Sequence, residues 1–185
     1  YEGTLGFGAS EPVDAGRSGV VTSVAAIGTV VDPGGTLFEI DLEPTILVAG
    51  SVPAFRELNV DSDDGADITQ LEQWLVDAGY GSGITVDETF DSSTAAGVEA
   101  WEEAVGRLVP DGTVERGDVV FSTYPVRISA ITSDVATQVR SDTVVVEATP
   151  TAKVVTMDLE VDAAARLEPG TQVDLELPDS TSTSG

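Results

Sequence analysis

The spacing of apolar residues divides the chain into three zones. From residue 1 to about 50, Val13, Val20-Val21, Val24, Ile27, Val30-Val31, Leu37-Phe38 and Ile40 fall in short groups. Glycine or proline separates them, and Asp32-Pro33-Gly34-Gly35 has the chemistry of a turn, with proline fixing φ and glycine supplying the left-handed conformation. This zone reads as short strands. From about 56 to 121 the period changes. Ile68, Leu71, Leu75 and Ala78 recur at helical spacing and Gly79 stops the run, with Asp63 or Asp64 placed as the N-cap. A second helix is predicted from about Ser93 to Val105, with Ala95, Val98, Trp101 and Val105 on one face, caps at Asp91 to Ser93, and Gly106 at its end. From about 125 the strand signal returns: Val126, Ile128 and Ile131, then Val144 to Val146, then Met157, Leu159 and Val161 alternating with acids, and Val173, Leu175 and Leu177 doing the same. The Ser/Thr-rich tail from Ser180 to Gly185 reads as disordered.

The order is therefore β, α, β: a helical block of some 65 residues inside a β framework. Such an insertion is tolerated where its two ends lie close together, and a hairpin tip is the expected place.

Charge narrows the function classes. The 185 residues carry 33 acids against 8 Lys and Arg, a formal charge of −25. A chain so acidic offers nothing to displace counterions from phosphates, which excludes nucleic acid as a partner. There is no His and no Cys, which removes imidazole and thiolate catalysis, disulfides and the usual zinc ligands. No apolar run approaches the roughly 20 residues that span a bilayer. The chain opens Tyr1-Glu2-Gly3 without a basic leader, and reads as an excised piece or a mature ectodomain, suited to high salt or to the outside of a cell.

Motifs for catalysis fail one by one. The single lysine, Lys153, follows Ala152, so there is no Walker loop. Gly6 and Gly8 begin a dinucleotide fingerprint that Glu11 breaks. No nucleophile elbow is present. The acidic run Asp61, Asp63, Gly65, Asp67 with Glu72 departs from a calcium loop at two places, since Gly65 and Ala66 hold the fifth and sixth positions; helix capping explains it better. No cofactor and no metal are expected.

Two resemblances then order these zones. Arg56-Glu57-Leu58, Gly65-Ala66-Asp67-Ile68, Gln70-Leu71, Leu75, Gly79-Tyr80, Phe90-Asp91, Thr94, Val98, Trp101, Leu108 and Asp111-Gly112 follow one another as in the small three-helix peptidoglycan-binding domain, which residues 55–121 resemble. Departures are Glu72 and Glu102, each where that family has Gln, Thr89 and Arg107, each in place of Gly, and Gly97 in place of Ala. The added negative charge weakens the binding signal. In the flanks, Gly19-Val20-Val21, Gly28, Val30, Gly34-Gly35 and Leu37 to Ile40 resemble one lipoyl half-motif. Val126 to Val146 resembles a second, with Ala136 and Asp142 in place of glycines, and Lys153 to Leu159 with Leu167, Gly170, Val173 and Leu177-Pro178-Asp179 resembles a barrel segment. Lys153 lies after the second half-motif rather than at the hairpin tip between the halves, so a lipoyl or biotin carrier is excluded.

That order is similar to periplasmic adaptor (membrane fusion) proteins of actinobacterial-type export systems. The resemblance implies an α+β fold: a lipoyl-like unit (1–50 and 123–149) split by a three-helix peptidoglycan-binding-like insert (51–122), then barrel-type strands (150–179) and a tail (180–185). It implies a non-catalytic, extracytoplasmic adaptor anchored through segments outside this chain. Its partners would be an ABC-type transporter subunit, peptidoglycan and further copies of itself. A stand-alone cell-wall-binding module is the alternative. Candidate wall or partner contacts are Trp74, Tyr80, Arg107 and Asp111. For Trp101 and Phe90 core packing is the reading, because a small helical unit has few other large side chains.

Overall fold

A computed structural model of the chain describes residues 3–157, 170–172, 174–176 and 182–184. The chain falls into two units, one of residues Tyr1–Gly6 with Lys153–Gly185 and the other of Phe7–Ala152.

In the first unit β1 (Gly3–Phe7) pairs with β11 (Lys153–Met157), and β12 (Asp174–Glu176) pairs antiparallel with β13 (Ser182–Ser184). The segment read as a disordered tail thus supplies a strand. A backbone ladder needs no apolar side chains, and threonine favours extended structure. The alternation expected at Leu159 and Val161, and the positions Leu167, Val173 and Leu177, lie outside the described residues.

The larger unit is built from two sheets. One has the order β2 (Glu11–Asp14), β10 (Val144–Pro150), β8 (Val126–Ile131), β4 (Val30–Val31). The other runs β7 (Val119–Ser122), β6 (Glu43–Ala49), β5 (Thr36–Ile40), β3 (Gly19–Val24), β9 (Gln138–Val139). Their facing side chains form one core, including Val21, Leu37, Phe38 and Leu47 from one sheet and Val13, Ile128, Val145 and Val146 from the other.

The two sheets contain a repeat. β3, β4 and β5 follow one another as β8, β9 and β10 do. In each half the long strands pair with each other, while the two-residue middle strand crosses to the other half: β4 pairs with β8, and β9 with β3. The bonds at the crossings match. Ile128 donates to Thr29 O and accepts from Gly28 N, as Val21 donates to Thr137 O and accepts from Ala136 N. Gly28 sits at φ 91° and Ala136 at φ 72°. The left-handed conformation is thus kept in the second half even though its glycine is not. For alanine that conformation costs about 1–2 kcal/mol.

The helical block enters differently from the expectation. β6 and β7, which flank it, are parallel neighbours in register Ile46↔Val119 to Ala49↔Ser122. The insertion is a crossover between parallel strands, not a hairpin tip, and its ends stand about 10 Å apart along the strands. It holds α1 (Ala66–Asp77) and α2 (Ser92–Val105). No third helix forms among the described residues: beyond α2 comes a loop with Pro110 and Gly112, and the β-branched pair Val119-Val120 joins the sheet as β7. α2 begins at Asp91, whose carboxylate accepts from the Ser93 and Thr94 N–H groups, and ends at Gly106. α1 is capped by Gly65 with no side-chain bond, rather than by Asp63 or Asp64.

β6 is the seam. Leu47 points into the sandwich, whereas Ile46 and Val48 point into a second core with Ile68, Leu71, Leu75, Val98 and Trp101. A strand covered on both faces reads as a continuous apolar run, which is why Ile46-Leu47-Val48 does not alternate.

At the β5–β6 hairpin, Asp41 and Leu42 have φ 53° and 70°. Two such residues make the tight turn that usually takes Asn-Gly. A leucine there is strained.

Candidate functional site

The helical module presents three features: an aromatic core, two buried carboxylates, and an ion cluster where it meets the sheets. Trp74 meets Trp101 edge-on, with ring centroids 5.3 Å apart and planes at 83°. Trp74 is 6% exposed and Trp101 1%. The apolar stripe of α1 is wide enough to take in position 74 beside 71 and 75. Neither ring offers a face for stacking. Tyr80 is half-buried at the edge of this core. Gly97 lets the loop after α1 lie close, since a Cβ there would stand 2.9 Å from Tyr80 O and 2.8 Å from Ile84 Cδ1.

The buried carboxylates are the two glutamates that replace glutamine. Glu72 accepts from the Thr94 hydroxyl and from Asp87 N–H at 2.8 Å. Glu102 accepts from the N–H groups of Asp111 and Gly112, both at 2.9 Å. Each carboxylate thus fixes a loop to a helix. Burial raises both above the ordinary glutamate range, while the bonds they accept pull the other way.

Glu102 also opens the ion cluster. Its second oxygen lies 3.4 Å from Arg107 Nη1, and Arg107 in turn pairs with Asp118 and, at 3.2 Å, with Glu43. Arg17 reaches the same Asp118 at 2.9 Å and donates to Gly117 O at 2.7 Å. Burial raises the Asp118 carboxyl against the pull of both guanidiniums. Burial would lower Arg107, but the charges of Asp118, Glu102 and Glu43 outweigh it and its value is raised. The cluster joins the end of α2, the start of β6, the approach to β7 and the loop after β2.

The four candidate contacts therefore separate. Trp74 is core, and Tyr80 is at the rim of that core. Arg107 is committed to three acids. Asp111 is exposed, accepts from Thr113 N–H at 2.9 Å, and lies on the loop that Glu102 holds. Glu102 brings Arg107 and Asp111 into one neighbourhood; Trp74 and Tyr80 belong to the apolar core of the module. Arg17, Glu43 and Asp118 were not singled out by sequence, since residues so far apart in number carry no spacing signal.

Asp67, at the end of the acidic run, accepts from Nε and Nη2 of Arg56 at 2.7 and 2.8 Å. Its carboxylate is lowered, first by that bond. Among the described residues no group of acids is arranged to hold a metal ion. A cleft of about 210 Å³ lies between β2 and β7, lined by Pro12, Asp14, Pro53, Arg116, Phe121 and Ser141 among others.

Residues 64–116 match the family described as "Putative peptidoglycan binding domain". A peptidoglycan-binding domain is present. The matched stretch takes in both helices, both buried glutamates and the Glu102–Arg107 contact, and stops short of β7. No curated protein and no solved structure matches the chain. The peptidoglycan-binding module makes peptidoglycan a plausible partner.

Proposed function

We propose that the chain is a non-catalytic, extracytoplasmic adaptor in which a lipoyl-like framework carries the peptidoglycan-binding module as a rigid spacer and cell-wall contact. Its second partner is a membrane transporter subunit of ABC-exporter type. The observation that carries the proposal is the placement of the matched module within the repeat. Two similar half-units exchange their middle strands, as a lipoyl-like pair packed face to face would, and the module enters between them through a strand buried on both faces. A flexible appendage would hang from a linker; this module shares a strand and an ion cluster with its support.

The test is sedimentation with insoluble peptidoglycan at low and near-physiological salt. At −25 the chain is repelled by anionic wall polymers. Binding is therefore expected to be weak at low salt and to rise as salt screens that repulsion. It is expected to fall in Tyr80→Ala with the circular dichroism spectrum unchanged. Absence of sedimentation at both salts overturns the wall contact, and tight binding that salt weakens overturns the expected repulsion.

A stand-alone wall-binding module is the second reading, favoured by the confinement of the family match to 64–116. Photo-crosslinking in cells from an exposed framework position such as Ser10 separates the two: the adaptor yields an exporter subunit, the stand-alone module none.

A further inference from the structure

Two segments that carry large exposed aliphatic side chains meet at one carboxylate, Glu43. Leu42 is 61% exposed, Leu108 63% and Val109 69%. Leu42 is the second turn residue of the β5–β6 hairpin and immediately precedes Glu43. Leu108 donates its N–H to Glu43 Oε1 at 3.2 Å, and Arg107 holds the other oxygen of that carboxylate. The framework and the module therefore contribute to one corner of the molecule, and the ion cluster beneath fixes their relation.

Leu42 is the informative residue. It holds a left-handed conformation at φ 70°, where glycine would be unstrained and leucine is an outlier. Its side chain is mostly in solvent, so folding gains little from it. Strain at an exposed hydrophobe points to contact rather than to stability.

The surroundings decide what kind of partner fits. Asp41 precedes Leu42, and Glu103 and Asp111 stand in sequence on either side of the Leu108-Val109 pair, all three exposed, while Glu43 is paired with Arg107. An aliphatic centre between carboxylates complements an aliphatic surface between cations. A second copy would bring the same acids against these, and an anionic bilayer would be repelled. We infer that Leu42, Leu108 and Val109 form a docking surface for a partner polypeptide whose own aliphatic residues are flanked by lysine or arginine. This goes beyond the adaptor proposal and needs neither the wall contact nor the exporter to be correct.

The probe is a fluorescein-labelled amphipathic peptide with leucines on one face and flanking lysines, titrated with the purified chain and read by anisotropy. Leu42→Gly and Leu108→Ser leave the net charge unchanged, so attraction by charge alone is the same in all three proteins. Each variant is expected to weaken binding by about tenfold or more, the burial of one leucine. Leu42→Gly is also expected to melt at the same temperature as the parent or higher, which a merely structural role would not give. Peptidoglycan sedimentation of both variants is expected to equal that of the parent, so failure here and failure of the wall contact are read separately. Unchanged peptide affinity in both variants overturns the inference. So does a dimer in sedimentation velocity that Leu108→Ser dissolves, which would make a second copy the occupant. Binding to phosphatidylglycerol vesicles that both variants lose would overturn it in favour of a membrane.

Discussion

The two cores that meet on β6 are made of different materials. The sandwich core is aliphatic, drawn from Val, Ile, Leu and Ala with one Phe, and its order comes from repetition: two half-units, each lending a short strand to the other. The module core has two tryptophans and a phenylalanine, and it is held in shape by polar groups taken out of water: Glu72, Thr94 and Glu102 are all fully buried. The first core holds no titratable side chain and is insensitive to pH. Buried carboxylates make the second sensitive to it, and to the loss of any one partner.

Arg107→Met gives the largest expected effect. It leaves Asp118, Glu102 and Glu43 without their shared cation, and breaking a buried pair from one side costs about 3–5 kcal/mol. Denaturant unfolding should show the loss, with the near-ultraviolet signal of the tryptophans disappearing before the strand signal. Adding Glu102→Gln in that background should restore part of the stability. Strictly additive losses would mean that Glu102 and Arg107 are not coupled.

The half-unit repeat is tested by a pair of substitutions with opposite signs. Gly28→Ala puts a Cβ into a left-handed position and should cost about 1–2 kcal/mol. Ala136→Gly removes one at the equivalent crossing and should stabilise by about 0.5–1 kcal/mol, the strain relieved less the flexibility added to the unfolded chain. Equal signs in thermal melts would break the equivalence of the two crossings.

The smallest effect is in the pH dependence. Burial raises Glu72, so its ionised form opposes folding at neutral pH, and that opposition is relieved as pH falls through the raised value towards the ordinary glutamate range. Asp67 and Asp91 act in the opposite sense. Both are lowered, Asp67 by the Arg56 bond and Asp91 by the Thr94 and Ser93 N–H groups. Their contribution is present above the ordinary aspartate range and is lost as pH falls through the lowered values. Stability should therefore rise on mild acidification and fall in stronger acid. Glu72→Gln should reduce the rise, Glu102 and Asp118 being raised as well, and leave the fall, in melting temperatures taken across that range.

Much of this was legible in the residues, and the failures are instructive. α2 runs close to its predicted ends because Asp91 and Gly106 are chemically explicit caps. The start of α1 was misplaced by two acids that sit near it without bonding it. Trp74, a candidate contact in the sequence, is core because the apolar stripe of α1 is wider than Ile68, Leu71 and Leu75 alone. The glutamates at 72 and 102 looked like added surface charge and are buried; only the folded chain brings Thr94, Arg107 and the loop amides to meet them. Glu102 and Arg107, two separate departures from the family pattern, turn out to face each other. The parallel pairing of β6 with β7 was beyond reach, since hydrophobic spacing gives the faces of a strand but not the direction of its neighbour.

That direction has a mechanical consequence. If the chain before β6 and the chain after β7 are drawn apart along the strand axis, the load falls on β6 and β7 in shear. The register pairs from Ile46↔Val119 to Ala49↔Ser122 must then yield together, whereas strands meeting at a hairpin tip would peel one bond at a time. A chain stretched between two fixed layers would transmit tension through this joint, and its softer elements would give way before the module came loose.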